Sequence, residues 1–200
     1  ALIWGLAFVA QRVGMDHIGP FAFNGIRFAL GGLSLIPLIL YMDRKNGAQA
    51  MDRLTLWGGL LGGVLLAAGA SLQQVGLLYT TAGKAGFITG LYVVLVPIYG
   101  LFLRQTAGAH IWLGAGAAAF GLYLLGVKEG FVIEKGDFLE LVGAFVWAAH
   151  VQLIGFLSKK ADPLKISSIQ FLTCGVLSLA VSFFTETTTA ESVRGALIPI

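Results

Sequence analysis

From Ala85 to Leu103 the sequence AGFITGLYVVLVPIYGLFL carries no charged side chain, and a helix needs about 20 such residues to cross a hydrocarbon core. Five further runs of similar length follow: Phe21 to Met42, Leu54 to Tyr79, Ala109 to Val127, Phe138 to Leu157 and Pro163 to Phe184. Short polar clusters such as DRKNGAQ and SKKAD separate them. Run length restricts the fold more than any motif does, because a segment in lipid must satisfy its own backbone hydrogen bonds, and a helix does so within one segment. All six runs are expected to be transmembrane helices, which makes the chain an all-α polytopic membrane protein. Composition agrees: 57% of residues are hydrophobic and 12% charged, against about 45–50% and about 25% in soluble domains.

A seventh run, Ala1 to Val13, is too short to span and opens on Ala in mid-pattern, so it reads as the tail of a truncated helix. GALIPI at Gly195 to Ile200 reads as the opening of a further span. The expectation is therefore a fragment. No charged n-region precedes the first run, which argues against a cleavable signal peptide. Cys174 is the single cysteine and lies in an apolar run, so disulfides do not report on compartment. The pI near 9.1 does not imply nucleic acid, because that reading needs a basic patch and these charges are scattered over loops.

Loop charge orients the bundle, since cytoplasmic loops carry the excess of Lys and Arg. Alternate connections group Arg44, Lys45, Arg53, Arg104, Lys159, Lys160 and Lys165 on one side, against Arg12, Lys84, Lys128, Lys135 and Arg194 on the other. The N-terminus is expected in the cytoplasm.

An offset of 143 residues places Trp4 on Trp147, Pro20 on Pro163, Ile26 on Ile169, Phe28 on Phe171 and Gly32 on Gly175. Asn24, Arg27, Gly31 and Ser34 share one face at 100° per residue. The same offset carries Asn24 onto Ser167, Arg27 onto Gln170 and Gly31 onto Cys174, so a small or polar stripe recurs. The first unit, residues 1–127, holds five helices. That odd number makes the second unit, 138–200, enter from the opposite face, an inverted repeat of the kind secondary transporters use.

WGLAFVAQRVG, HIGPFAFNGIRFALGGLSLIPL, KAGFITGLYVVLVPIYG, and WAAH followed by KKADPLKISSIQF together resemble the drug/metabolite transporter superfamily in its EamA-type branch. The resemblance covers essentially the whole chain. It implies ten helices in two inverted five-helix repeats, moving small metabolites, amino acids or drugs across a bacterial inner membrane. Only seven helices and the start of an eighth are expected here. A lipid-modifying membrane enzyme and a non-transporting scaffold are the rival readings; the former should show Asp, His or Arg clustered at one membrane face.

Depth decides what a polar residue means, because a charge at a helix centre costs about 2.5–3.5 kcal/mol on insertion scales. Arg27, deep in its helix beside Asn24, reads as an interhelical anchor or a gate. Lys84 reads as a headgroup-snorkelling residue or an anion contact at the outer mouth; a lysine at a helix N-terminus opposes the dipole, whereas paired with free amides it binds anions. The GK pair is no P-loop, since the glycine that motif requires is Leu78. Trp4 and Gln11 share a face of the first helix, and Trp147 and His150 neighbour each other on its repeat mate. Gln74 lies on a close-packed stripe with Ala67 and Ala70, Tyr92 is polar within a span, and Pro97 is expected to kink the fourth helix. The substrate contacts expected are Trp4, Gln11, Gln74, Lys84, Tyr92, Trp147 and His150, with Arg27, Asn24 and Pro97 as gating or structural residues. The ten carboxylates are taken to fall in loops or at helix ends. No catalytic set, metal site or cofactor is expected. The expected partners are a small-molecule substrate, membrane lipid and, as a homodimer, a second copy of the chain, with no nucleic acid.

Overall fold

The computed structural model describes residues 2–47, 51–128 and 134–197. Among the described residues it contains nine α-helices and no strand: α1 (Leu2–Gly14), α2 (Pro20–Asn46), α3 (Arg53–Gly76), α4 (Ala82–Gly90), α5 (Tyr92–Phe102), α6 (Ala109–Lys128), α7 (Lys135–Leu157), α8 (Pro163–Thr185) and α9 (Ala190–Leu197). Five segments are long and apolar enough to cross a membrane: α2, α3, α4 with α5, α7 and α8. These coincide with five of the expected runs, and α6 occupies the sixth. Trp57, Phe102, Leu113, Phe183 and Phe184 are each more than three-fifths exposed, an apolar coat suited to lipid. The chain is an integral, all-helical polytopic membrane protein.

Side-chain caps set several helix starts. Asp52 accepts the Thr55 N–H at 2.8 Å to open α3, Thr81 accepts the Lys84 N–H at 3.2 Å to open α4, and Asp162 with Pro163 opens α8. Each supplies an acceptor to amides that the helix itself leaves unpaired. The fourth apolar run divides at Leu91, which donates to Ile88 O at 3.0 Å in a tightened turn. The interruption therefore falls before Pro97, which sits inside α5. Gly90, the last residue of α4, is a weak helix former at that break. At the carboxyl-terminal side the short α9 runs from Ala190 to Leu197, and residues 198–200, the rest of the expected further span, lie outside the described residues.

The centre of the bundle is α3, packed between α7 and α8, with α8 also against α2. Glycines make this possible. A Cβ on Gly58 would stand 2.7 Å from Leu157 Cδ2, one on Gly59 2.7 Å from Ile169 Cβ, and one on Gly63 2.9 Å from Gln170 O. The α3 backbone thus lies directly against its neighbours, the close approach that small residues allow between membrane helices. Around this centre, α4 and α5 pack on α7, α6 packs on α5 and α4, and α1 packs on α4 and α9.

The α2–α8 seam has a reciprocal geometry. A Cβ on Gly32 would stand 2.7 Å from Leu172 Cγ, and one on Gly175 would stand 2.9 Å from Ala29 N. Positions 32 and 175, like 29 and 172, lie 143 apart in the chain. Phe28 and Phe171, separated by the same interval, meet each other with ring centroids 5.7 Å apart. The two ends of the seam are also tied reciprocally. Asp43, at the end of α2, pairs with Lys165 Nζ in the first turn of α8 at 2.9 Å. Glu186, just beyond α8, accepts the Phe21 and Ala22 N–H groups in the first turn of α2 at 2.9 and 2.8 Å. Asp43 and Glu186 are again 143 apart, as are Ala22 and Lys165.

Candidate functional site

At one end of the bundle, α4 and α7 bring opposite charges together. The Thr81 cap holds Lys84 in the first turn of α4. On α7, Glu134 and Asp137 form a reciprocal capping box, with Glu134 N donating to Asp137 Oδ2 at 2.9 Å. Gly136 lets this end approach α3 closely: a Cβ there would lie 2.6 Å from Gly76 O. As a result Lys84 Nζ lies 3.6 Å from Asp137 Oδ2, and Thr80 Oγ1 donates to Asp137 Oδ1 at 2.5 Å. The lysine turns toward α7, and the carboxylate offsets its unfavourable position at the positive end of the α4 dipole.

One turn further along α7 stands Glu140, fully buried. Thr89 Oγ1 donates to Glu140 Oε2 at 2.8 Å, and Gln73 Nε2 reaches Thr89 Oγ1 at 3.4 Å. Glu140 Oε1 has no hydrogen-bond partner among the described residues. This corrects the expectation that every carboxylate lies in a loop or at a helix end. Gly76 is the reason the residue fits: the glutamate side chain occupies the space where a Cβ at position 76 would stand, 2.8 Å from Oε1. The sequence carries a signal for it, since Glu140 is the one charged residue interrupting the Phe138 to Leu157 run.

A second polar group lies deeper, around α2, α3, α7 and α8. Asn24, fully buried, donates from Nδ2 to Ala70 O at 3.0 Å and accepts from Arg27 Nη2 at 2.8 Å. The Arg27 guanidinium also lies over the rings of Phe28 and Phe23, 4.7 and 5.4 Å from their centroids. Trp147 packs over Gly69 and meets His150 edge-on at 5.7 Å. His150 Nε2 donates to Gln170 Oε1 at 2.9 Å. Gln74 is wholly buried, and neither of its amide atoms, nor Trp147 Nε1, has a hydrogen-bond partner among the described residues. Such groups are costly in an apolar interior, about 1–3 kcal/mol each from mutational data.

The expected contact residues therefore separate. Trp147 and His150 are neighbours, and Arg27 and Asn24 form one unit. Lys84 stands at the bundle end with Asp137. Gln11 is buried on α1 and donates to Ala7 O of its own helix at 3.0 Å, and its Oε1 is unpartnered among the described residues. Tyr92 is partly buried at the start of α5. Pro97 lines a separate cavity of about 150 Å³ with Val96, Gly100, Gln105, Ile111 and Gln152. The Trp4 side chain lies outside the described residues. Asp137, Glu140, Thr89 and Gln170 were not among the expected site residues. No group of three His, Cys, Asp or Glu suited to a metal occurs among the described residues.

Residues 1–127 match the EamA-like transporter family. An uncharacterized transporter of Archaeoglobus fulgidus is 34% identical over 188 residues, covering 94% of this chain and 56% of the relative. The uncharacterized transporter YoaV of Bacillus subtilis is 25% identical, with 92% of this chain and 64% of the relative covered. The uncharacterized inner membrane transporter YedA of Escherichia coli K12 is 24% identical, with 90% and 58% covered. The chain thus spans about three-fifths of the length of these relatives. A solved crystal structure shares the fold at a TM-score of 0.62 and 15% identity, covering 98% of this chain and 72% of that one.

Proposed function

Since this chain belongs to the EamA-like transporter family, we propose that the protein is a secondary transporter, driven by an ion gradient or by exchange, for a small organic metabolite, amino acid or drug. In this reading it is not an enzyme. Residues 1–127 and 138–200 belong to two inverted halves, the N-terminus is cytoplasmic, and the membrane is the bacterial inner membrane. The reciprocal α2–α8 seam carries this reading. Contacts exchanged between positions 143 apart support a two-fold relation between halves, and halves so related can rock about a common site to expose it alternately.

Substrate meets first Trp147 Nε1 and the Gln74 amide, which lack hydrogen-bond partners among the described residues. The Trp147 ring offers a stacking surface beside His150, and the buried Gln74 amide can both donate and accept. Gln11, Tyr92 and Trp4 complete the wall as the halves move. Lys84 attracts a carboxylate or phosphate at the outer mouth, where arriving anion competes with Asp137 for the ammonium.

The test uses full-length protein in proteoliposomes offered a labelled mixture of amino acids, small carboxylates and cationic drugs. Uptake above protein-free vesicles is expected, and its absence for every component sinks the transport reading. Gln74→Leu should reduce uptake about tenfold, through loss of about 1–2 kcal/mol of polar contact. Lys84→Met should weaken uptake of anionic components specifically, and unchanged uptake of all of them removes the role given to Lys84.

A further inference from the structure

Glu140 occupies the second turn of α7 inside a membrane span, with α3 and α4 against it. From α3 comes Gly76, and the neutral Gln73 connects through Thr89 of α4; Lys135 and Asp137 lie on α7 itself, Lys84 of α4 stands beside Asp137, and Arg12 of α1 reaches Leu77, next to Gly76. The cations are engaged elsewhere. Lys84 pairs with Asp137 at 3.6 Å, Lys135 Nζ lies over the Tyr79 ring at 4.8 Å, and the Arg12 guanidinium donates to Leu77 O. Glu140 makes no ion pair among the described residues, and its carboxyl group receives one hydrogen bond, from Thr89.

An ionised carboxylate so placed is an uncompensated buried charge, which costs several kcal/mol. A second carboxylate, Asp137, lies one turn away and adds like-charge repulsion. One lysine cannot neutralise both. A proton on Glu140 makes the Lys84, Asp137 and Glu140 set neutral, and Oε1 lies so close to Gly76 that a Cβ there would stand 2.8 Å away.

The geometry points to Glu140 as the proton-carrying residue of the transport cycle, loaded and emptied through the Lys84–Asp137 end of the bundle. This rests on the transport reading above. The O–H bond at Glu140 breaks, the proton passes to water and the electron pair stays on the carboxylate. The new charge then competes with Asp137 for Lys84 Nζ and shifts the α4–α7 ion pair from the first turn of α7 toward the second, which links proton release to helix movement.

Two measurements on the full-length protein in lipid test this. Infrared difference spectra across pH steps should show a protonated carboxyl band at neutral pH that bleaches at alkaline pH and is missing in Glu140→Gln. A wild type without the band, or a Glu140→Gln protein that keeps it, overturns the proposal. In proteoliposomes, an imposed pH gradient should stimulate wild-type uptake of the labelled mixture about tenfold, within the usual range of coupling between sites. Residual uptake by Glu140→Gln should not respond to the gradient, and Glu140→Asp should respond with a displaced pH profile. A response retained in Glu140→Gln, or an undisplaced profile in Glu140→Asp, overturns the coupling. A wild type that moves nothing defeats the transport reading instead, and the infrared band still decides whether Glu140 carries an exchangeable proton.

Discussion

Asn24 uses both ends of its amide, donating to Ala70 O on α3 while its oxygen receives the Arg27 guanidinium. Removing it takes the amide acceptor from the partly buried Arg27 guanidinium and an interhelical hydrogen bond from Ala70 O, so Asn24→Ala should lower stability by about 1–3 kcal/mol. Thermal unfolding in detergent measures this, and Asn24→Asp, which can still accept from Arg27, should lose less. Asp52 makes a pH prediction. Hydrogen bonds from the Thr55 side chain and backbone hold its carboxylate below the ordinary value of 3.8. A folded-state value below the unfolded one contributes stability above 3.8 that disappears as the pH falls through the folded value. Asp52→Asn should therefore flatten this part of the acid dependence of α3 unfolding, followed by amide exchange at Arg53 to Leu56. Single residues were the least legible part of the sequence. Arg27 and Asn24 shared a helix face and could be paired from spacing alone, whereas His150 with Gln170 and Lys84 with Asp137 come from separate helices, which no periodicity relates.

Whole helices were easier to read, because hydrophobic length is set by the bilayer and does not depend on tertiary partners. The exception is the run split into α4 and α5, where the break depends on a tightened turn at Leu91 that sequence hydropathy does not register. The glycines of α3 were legible as packing devices, and the structure adds which partner each one seats. Gly63→Val would drive a side chain against Gln170 O and should destabilise the α3–α8 contact by about 1–3 kcal/mol, the usual range for overpacking. Gly114 has open space around its Cβ position, so Gly114→Ala should be neutral or gain up to about 1 kcal/mol of helix propensity. Melting temperatures of the two variants, measured side by side, separate packing from propensity.

Across the whole molecule, the ties at Asp43–Lys165 and Glu186 join α2 to α8 at opposite ends. Lys165 is largely buried, so Lys165→Met should cost about 1.5–3 kcal/mol, the range for hydrogen bonds to charged groups. A double-mutant cycle with Asp43→Asn should return most of that as coupling energy. Glu186→Gln should fray the first turn of α2, visible as faster amide exchange at Phe21 and Ala22. The same interval that relates Asp43 to Glu186 also relates Gly32 to Gly175, so each experiment on this seam can be performed twice within one chain. Gly32→Ala and Gly175→Ala pose one question to the two reciprocal contacts of the seam. Any difference between their answers is a direct measure of how unequal the two reciprocal contacts have become.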